Sequence, residues 1–259
     1  MKMQLTTIAA AVAFAVSASA AMAQTAPGST FDGSRDKIED MEGSLYDGSG
    51  AGSDSYINQT GSHNTNTVTQ WGTQISRIKQ DGNKNTTNVT QDDVTGTPTI
   101  AAGDNYSDIY QKGNKNTATV DQLDKANDSI IKQIGNKNTA SVDQIGYRND
   151  SWVEQRGNHN KAYVTQDGDL NDSYVKFDGN SNYANVNQTG EELDSDIIAY
   201  GNGNQHFVNQ TGSGHDSFIY TDGNHNTQIV TQSGAFSGQH FSQIKTVGSH
   251  NVNNVSQGH

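Results

Sequence analysis

The sequence predicts an all-β protein, a β-solenoid of nine stacked strand-turn-strand repeats (β-arches) of about 22 residues each that can form a cross-β fibre. Three observations predict it: period-two alternation of β-branched residues, turns rich in Gly and Asn, and repetition of the whole unit. Only 31% of the residues are hydrophobic, which is too little for an ordinary globular core. Stacked repeats avoid this difficulty because each unit buries its inner face against its neighbours.

One stretch, residues 127–144, shows the repeating unit most clearly. Residues 127–133 and 138–144 each alternate, with every second residue on the same side, and Ile, Val and Thr favour strands there. Residues 134–137, Ile-Gly-Asn-Lys, have the composition of a turn. The unit is therefore a strand, a turn and a second strand.

The same unit recurs nine times, aligned on a central Asn. A Gly lies three residues before this Asn, a β-branched residue seven before, a Val four after and a Gln six after. The asparagines and their flanking glutamines are predicted to form the amide ladder of a fibre core: Gln59, Asn64, Gln70, Gln80, Asn85, Gln91, Gln111, Asn116, Gln122, Gln133, Asn138, Gln144, Gln155, Asn160, Gln166, Asn182, Gln188, Asn204, Gln210, Asn226, Gln232, Asn251 and Gln257. The predicted apolar core is Ile57, Val68, Ile78, Val89, Ile109, Val120, Ile131, Val142, Val153, Val164, Val175, Val186, Ile197, Val208, Ile219, Val230, Ile244 and Val255. The predicted turn glycines are Gly61, Gly82, Gly113, Gly135, Gly157, Gly179, Gly201, Gly223 and Gly248.

Pairing across the arch predicts how the inner faces pack. Folding about the turn sets Ser129 opposite Val142 and Ile131 opposite Ala140, so a small residue meets a large one in each layer. Stacked turns about 4.7 to 4.8 Å apart then place identical amides in hydrogen-bonded ladders.

The chain before the repeats divides into two segments. Residues 1–23 contain a single charge, an apolar run at 8–16 and the sequence Ala-Met-Ala at 21–23, which predicts a cleaved secretory signal peptide. The apolar run is far shorter than the roughly 20 residues of a membrane anchor. Residues 24–52 are rich in Gly, Ser and Asp and are expected to be a leader that an export channel could recognise, followed by the repeat domain at 53–259. Export is consistent with the absence of Cys.

Composition and motifs argue against several function classes. The net charge of −12 disfavours nucleic acids and anionic membranes as partners. The sequence has no catalytic or nucleotide-binding motif, so we expect a protein that is not an enzyme and uses no cofactor or metal. The carboxylates are expected on repeat surfaces and turns, where no pocket would shift their pKa.

Two sets of side chains have a second interpretation besides solvent exposure. One shares a turn position and could bind a transition metal weakly: His63, His159, His225 and His250. The other shares an outward column and could serve lateral association of fibres: Tyr56, Trp152, Tyr174 and Phe218.

The predicted ends of the stack indicate a function, because their strands are not covered. After Gln257 the sequence contains only Gly258 and His259, so we expect the last strand to be bare. The leader is too short and polar to cover the first strand. Uncapped solenoids add further strands at their edges, which predicts end-to-end polymerisation into a fibre.

The unit Gln133-x-Gly135-x-x-Asn138-x-Ala140-x-x-x-Gln144 resembles the curlin repeat of curli functional amyloids. The same pattern occupies residues 111–122 and 155–166, and the resemblance covers nearly the whole predicted mature chain. It implies secretion through a curli-type outer-membrane channel, a nucleating minor subunit as partner, and cell-surface fibres of a biofilm matrix that serve adhesion. The last repeat is not basic or divergent, which favours the major subunit. The chain departs from the pattern at the first Gln in Phe177, Ala199, Thr221 and Thr246, and at the Ala in Asn66, Thr87, His206, Gln228 and Asn253.

Two other secreted solenoids remain as alternatives. Columns of outward Thr suggest an ice-binding monomer, although Lys161, Tyr163, Tyr183 and Phe207 interrupt the flat surface that ice binding needs. The other alternative is a calcium-binding adhesin or enzyme module of the RTX type, whose G-G-x-G-x-D pattern is missing from the sequence.

Overall fold

A computed structural model describes residues 53–72, 74–92, 105–234 and 239–258. The predicted signal peptide and leader, residues 73, 93–104 and 235–238, and His259 lie outside these residues.

The described chain contains eighteen β-strands, most of them joined by short turns. The strands are β1 (Asp54–Thr60), β2 (Thr65–Trp71), β3 (Ile75–Asn83), β4 (Thr86–Asp92), β5 (Tyr106–Asn114), β6 (Thr117–Lys125), β7 (Asp128–Ile134), β8 (Thr139–Tyr147), β9 (Asp150–Arg156), β10 (Lys161–Asp169), β11 (Asp172–Asp178), β12 (Tyr183–Glu191), β13 (Asp194–Tyr200), β14 (Gln205–Ser213), β15 (Asp216–Asp222), β16 (Thr227–Gly234), β17 (Phe241–Val247) and β18 (Val252–Gly258).

The strands form two parallel sheets of nine strands each. Sheet 1 contains the odd-numbered strands in chain order, and sheet 2 contains the even-numbered strands. Each strand pairs with the equivalent strand of the next repeat, so that Ile131 lies beside Val153 and Val142 beside Val164. One repeat therefore makes one rung, with one strand in each sheet. The predicted β-solenoid of nine stacked β-arches is confirmed.

Backbone geometry explains the Gly in each arch. Gly135 has φ +124°, a conformation that L-residues rarely adopt, and Lys137 in the same turn has φ +58°. A Cβ added to Gly135 would overlap the carbonyl oxygen of Gly157 in the next rung. Turns can therefore stack at strand spacing only where this position has no side chain.

The core is the space between the two sheets. Ile131 and Val142 have no exposed surface and Ala140 is 1% exposed, and the equivalent residues of neighbouring rungs join them in one continuous cluster. Each rung supplies few apolar side chains, but the cluster extends from Ile78 to Ile244, with Val68 and Val255 packed against it. This explains how a chain of low hydrophobic content forms a dry interior.

Candidate functional site

Glutamine side chains form two ladders along the stack. In sheet 2, Gln70 donates to Gln91 at 2.8 Å, and the same bond recurs at each of the later steps until Gln232 donates to Gln257 at 2.9 Å. In sheet 1, the ladder begins with Gln59 and ends at Gln155, because the next rung has Phe177 at this position. The Nε2 atoms all donate toward the later rung, so each ladder has a direction.

The central asparagines tie each turn to the next. The backbone N–H of Asn138 donates to Asn116 Oδ1 at 3.0 Å, while Asn138 Nδ2 donates to the carbonyl oxygen of Gly157 at 2.8 Å. The backbone-to-Oδ1 bond occurs at all eight steps from Asn64 to Asn251. The backbone N–H cannot exchange roles with an acceptor, so this ladder also has a fixed direction.

A second asparagine ladder, outside the set predicted from the sequence, runs along the opposite turn. Asn149 N donates to Asn127 Oδ1 at 3.0 Å and Asn149 Nδ2 donates to the carbonyl oxygen of Gly168 at 2.7 Å. These residues lie eleven positions after their counterparts in the first ladder, as Asn149 follows Asn138. An eleven-residue period in Asn, Gln and Gly was the signal that would have revealed them.

The two ends of the stack expose residues that are buried elsewhere. In β1, Ile57 is 45% exposed, whereas its equivalent Ile78 in the next rung has no exposed surface. At the other end, Val255 of β18 is only half-buried. In the described chain, β1 and β2 form one edge of the two sheets, and β17 and β18 form the other. Both edges present strand backbone and apolar core side chains.

The inner column that contains Ala140 changes toward both ends. It contains Ala in four consecutive middle rungs, but polar residues outside them: Asn66, Thr87, Ala118, Ala140, Ala162, Ala184, His206, Gln228 and Asn253. Some of these polar groups are paired within the chain: Gln228 donates to Thr246 at 2.9 Å, and Asn253 donates to both. The amide atoms of Asn66 are enclosed and have no hydrogen-bond partner.

The outward face of sheet 1 is more buried than the sequence analysis expected. Tyr174 and Phe218, from the aromatic column, are 6% and 3% exposed, and they form a cluster with Ile198, which is 5% exposed. Trp152 contacts Tyr174 edge to face at 5.9 Å, whereas Tyr56 in the first rung is 60% exposed. The column therefore contains packed aromatic rings in the middle of the stack and an open ring at its start.

Several carboxylates on the same face have shifted pKa values, so the expectation of unshifted carboxylates is wrong. Burial raises the pKa of Asp108, although Arg77, 3.0 Å away, acts against the shift. Burial and the charge of Asp196 raise the pKa of Asp216 to about 8. Burial, with the charges of Asp196 and Asp216, also holds the pKa of Asp194 well above its usual range. Aspartates in equivalent positions are stacked on successive rungs, where each carboxylate faces the next.

The turn histidines do not converge with other metal ligands. His225 and His250 stack with ring centroids 5.3 Å apart, as expected for consecutive rungs. Within the described ranges, no group of three or more His, Asp or Glu is arranged to bind a metal ion. A different histidine, His206, is fully buried in the inner column, and burial lowers its pKa to about 3.

The outward face of sheet 2 contains the predicted Thr column. Thr86, Thr117 and Thr139 are neighbours on successive rungs, and Lys161 and Tyr183 continue the same column. The tilted Tyr163 and Tyr183 rings, 5.8 Å apart, project from this face. No helix suited to spanning a membrane occurs in the part of the chain that the structure describes.

Comparison with known proteins identifies the repeat. The family model described as the curlin associated repeat matches residues 103–135 and 148–176. A search of curated proteins found no match to the chain. The matched ranges contain two of the four Ala residues of the inner column, Ala118 and Ala162.

Proposed function

Because the chain is a curlin-like repeat protein, we propose that it is a structural subunit of extracellular fibres. In this proposal, copies add end to end, with β17 and β18 of one copy pairing with β1 and β2 of the next. The fibre would be cross-β, since its strands would lie across the fibre axis and its ladders would continue from copy to copy.

The observation that carries the proposal is the exposure of the core at the two ends. Ile57 is 45% exposed in a column whose later members are buried. Addition of a rung would bury this side chain and pair the backbone of the edge strand, both of which are favourable. The same translation relates all neighbouring rungs of the described chain, so a further copy can be added without a new type of contact.

The wider role follows from the curlin-like repeat and from the predicted segments of the chain. We propose that residues 1–23 direct export and are removed, and that residues 24–52 are recognised by a curli-type outer-membrane channel. The fibre would lie on the cell surface, in a biofilm matrix that serves adhesion, and a minor curlin subunit would nucleate it. The chain would be the major subunit, with a structural rather than an enzymatic role.

The test uses residues 24–259, purified in denaturant and diluted into buffer. We expect thioflavin fluorescence to rise after a lag that preformed fibre abolishes. Fibre diffraction should show reflections near roughly 4.7 and 10 Å. A soluble β-rich monomer that persists for days at high concentration would contradict the proposal and would favour a monomeric binding protein, for which freezing-point hysteresis is the next measurement.

A further inference from the structure

We propose that Asn253 of one copy and Asn66 of the next form a polar joint that fixes the direction and register of end-to-end growth. This inference rests on the proposed function. It concerns the residues that select this contact and its register, which polymerisation alone does not determine.

The ladders make the two ends of the stack chemically different. Every glutamine in the ladders donates toward the later rung, so Gln70 in the first rung keeps an Oε1 acceptor that no earlier glutamine fills. In the last rung, Gln257 Nε2 donates to the carbonyl oxygen of Phe241, with no later glutamine to receive it. At a head-to-tail joint, Gln257 Nε2 of one copy would donate to Gln70 Oε1 of the next. A head-to-head joint would set acceptor against acceptor.

The asparagine ladder gives the same direction through a backbone group. At each internal step the later Asn donates its N–H to the earlier Asn Oδ1, as Asn251 does to Asn226 at 2.9 Å. At a head-to-tail joint, Asn64 of the following copy would donate to Asn251 Oδ1. Asn251 Nδ2 donates one hydrogen to Asn226 Oδ1 at 3.0 Å. Its second hydrogen would bond the carbonyl oxygen of Gly61 of the following copy, as Asn226 Nδ2 bonds both Asn204 Oδ1 and the carbonyl oxygen of Gly248.

Asn66 is the residue that most needs a partner. Both of its amide atoms are enclosed, and neither has a hydrogen-bond partner. An enclosed amide without partners is unfavourable, and four middle rungs avoid the problem with Ala in this column. Asn66 therefore destabilises the isolated chain, and this cost is removed only when a polar group of another copy is stacked on it.

Asn253 has the complementary group in the last rung. Its Nδ2 donates to Gln228 Oε1 at 2.8 Å and to Thr246 Oγ1 at 2.9 Å, so both amide hydrogens are used. Its Oδ1 remains as an acceptor for a following rung. When the rung-to-rung pairing is continued, Asn253 lies in register with Asn66 of the next copy, as Gln228 does with Asn253. Because the Asn66 amide is enclosed within its own chain, its side chain would turn toward the open edge, and Nδ2 would then donate to Asn253 Oδ1.

Wrong joints leave this amide unsatisfied. A register shift or a reversed copy would place Asn66 against an apolar core residue or a second acceptor, so its enclosed amide would remain unpaired. Single buried amides select register and orientation in this way in other assemblies. The Ala residues of the middle rungs could not discriminate between correct and wrong joints. The end rungs form the joint, so the discriminating residues must lie there.

Cysteine cross-linking tests direction and register, since the chain contains no Cys. Thr67 and Asn254 lie on the outward face of sheet 2 in one column. The joint places them as parallel neighbours, about 4.8 Å apart, which suits a disulfide. Fibres of the double variant Thr67→Cys/Asn254→Cys should yield covalent multimers on mild oxidation. The matched control, Thr67→Cys/Val252→Cys, is offset by two residues and should not.

A double-mutant cycle tests the amide pair. We expect Asn66→Ala to raise the critical concentration for fibre growth about tenfold, because it leaves Asn253 Oδ1 unpaired in the joint. In the double variant Asn66→Ala/Asn253→Ala, the effect should be smaller than the product of the single effects. Asn254→Ala, next in sequence but outward, is the control and should change growth less than twofold.

Each outcome has a defined meaning. Multimers from the in-register pair, together with coupling between Asn66 and Asn253, would support the joint. Multimers from the offset pair, or asparagines that act independently, would overturn the joint and leave the proposed function intact. Covalent dimers from Thr67→Cys alone would also overturn the proposed pairing of β17 and β18 with β1 and β2. A wild-type chain that forms no fibre would overturn both.

Discussion

Replacing Gln144 by Ala should destabilise the stack strongly, although it removes no apolar residue. Gln144 has no exposed surface. Its Nε2 donates to the carbonyl oxygens of Asp128 at 3.0 Å and Asn149 at 2.8 Å and to Gln166 Oε1 at 2.9 Å, while its own oxygen accepts from Gln122 at 2.8 Å. The amide nitrogen has two hydrogens to share among its three acceptors, so these contacts amount to about three full hydrogen bonds. At about 0.5 to 1.5 kcal/mol net each, their loss would cost about 1.5 to 4.5 kcal/mol.

The measurement is urea unfolding followed by circular dichroism, at protein concentrations below those that give fibres. Ser141→Ala is the matched control, because Ser141 lies outward on the same strand and should change the unfolding free energy by less than about 0.5 kcal/mol. Gln144→Leu, which restores most of the volume, should remain destabilising if hydrogen bonds are the cause. If Gln144→Ala were no worse than Ser141→Ala, the ladder would contribute nothing measurable and the reasoning would be refuted.

Three further substitutions test the turns, the open end and the stacked aspartates. Gly157→Ala should prevent correct stacking, because the new Cβ would overlap the carbonyl oxygen of Gly179 at a φ of +113°; circular dichroism would show the loss of structure. Gly248→Ala should be far milder within one molecule, since its nearest atom would be 3.5 Å away, but it should obstruct the next copy and stop fibre growth at substoichiometric amounts. Asp216→Asn should raise stability at pH 8 more than at pH 4, because the pKa of Asp216 is raised to about 8 by burial and by the charge of Asp196.

The sign of the pH effect follows from proton binding. Between its unfolded pKa near 3.8 and its folded pKa near 8, Asp216 binds more protons in the folded chain, so its contribution to stability is lost as pH rises through that window. His206 has the opposite effect, because its pKa of about 3 makes stability fall below about pH 6.5. Asp216→Asn is therefore compared with the wild type at each pH, and an equal effect at pH 4 and pH 8 would contradict the assignment.

The controls for the glycine variants separate folding from growth. Gly248→Ala carries backbone strain from its φ of +117°, so monomer unfolding must be measured beside fibre growth. Fibre growth that continues unchanged in its presence would mean that nothing stacks on this end of the chain.

The repeat fold could be predicted from sequence because its determinants are local and recur. Ile131 and Val142 have equivalents in every rung, and a position that is kept nine times reports a structural requirement rather than chance. The second-turn ladder of Asn127 and Asn149 was missed for a related reason. Alignment on a single central Asn in 22 residues concealed the eleven-residue half-period that relates the two turns.

Burial on the outward face of sheet 1 could not be predicted in the same way. Alternation assigns Tyr174 and Asp194 to that face, but it cannot say how much of the face is covered. The pKa shifts depend on this coverage and on carboxylates stacked across rungs, which is a property of three-dimensional neighbours. The contact between the rings of Phe177 and His206, whose centroids are 6.3 Å apart, likewise becomes visible only when the rungs are stacked.

Because the step between rungs is uniform, the number of rungs can change without a change in the residues at the two ends. The Ala-containing rungs around Ala140 repeat the same contacts, whereas Asn66 and Asn253 occur once each at opposite ends. Loss or duplication of a whole middle repeat would therefore shorten or lengthen the subunit without altering what it offers to its neighbours. In the proposed fibre, subunits with different numbers of middle repeats would then fit into one filament.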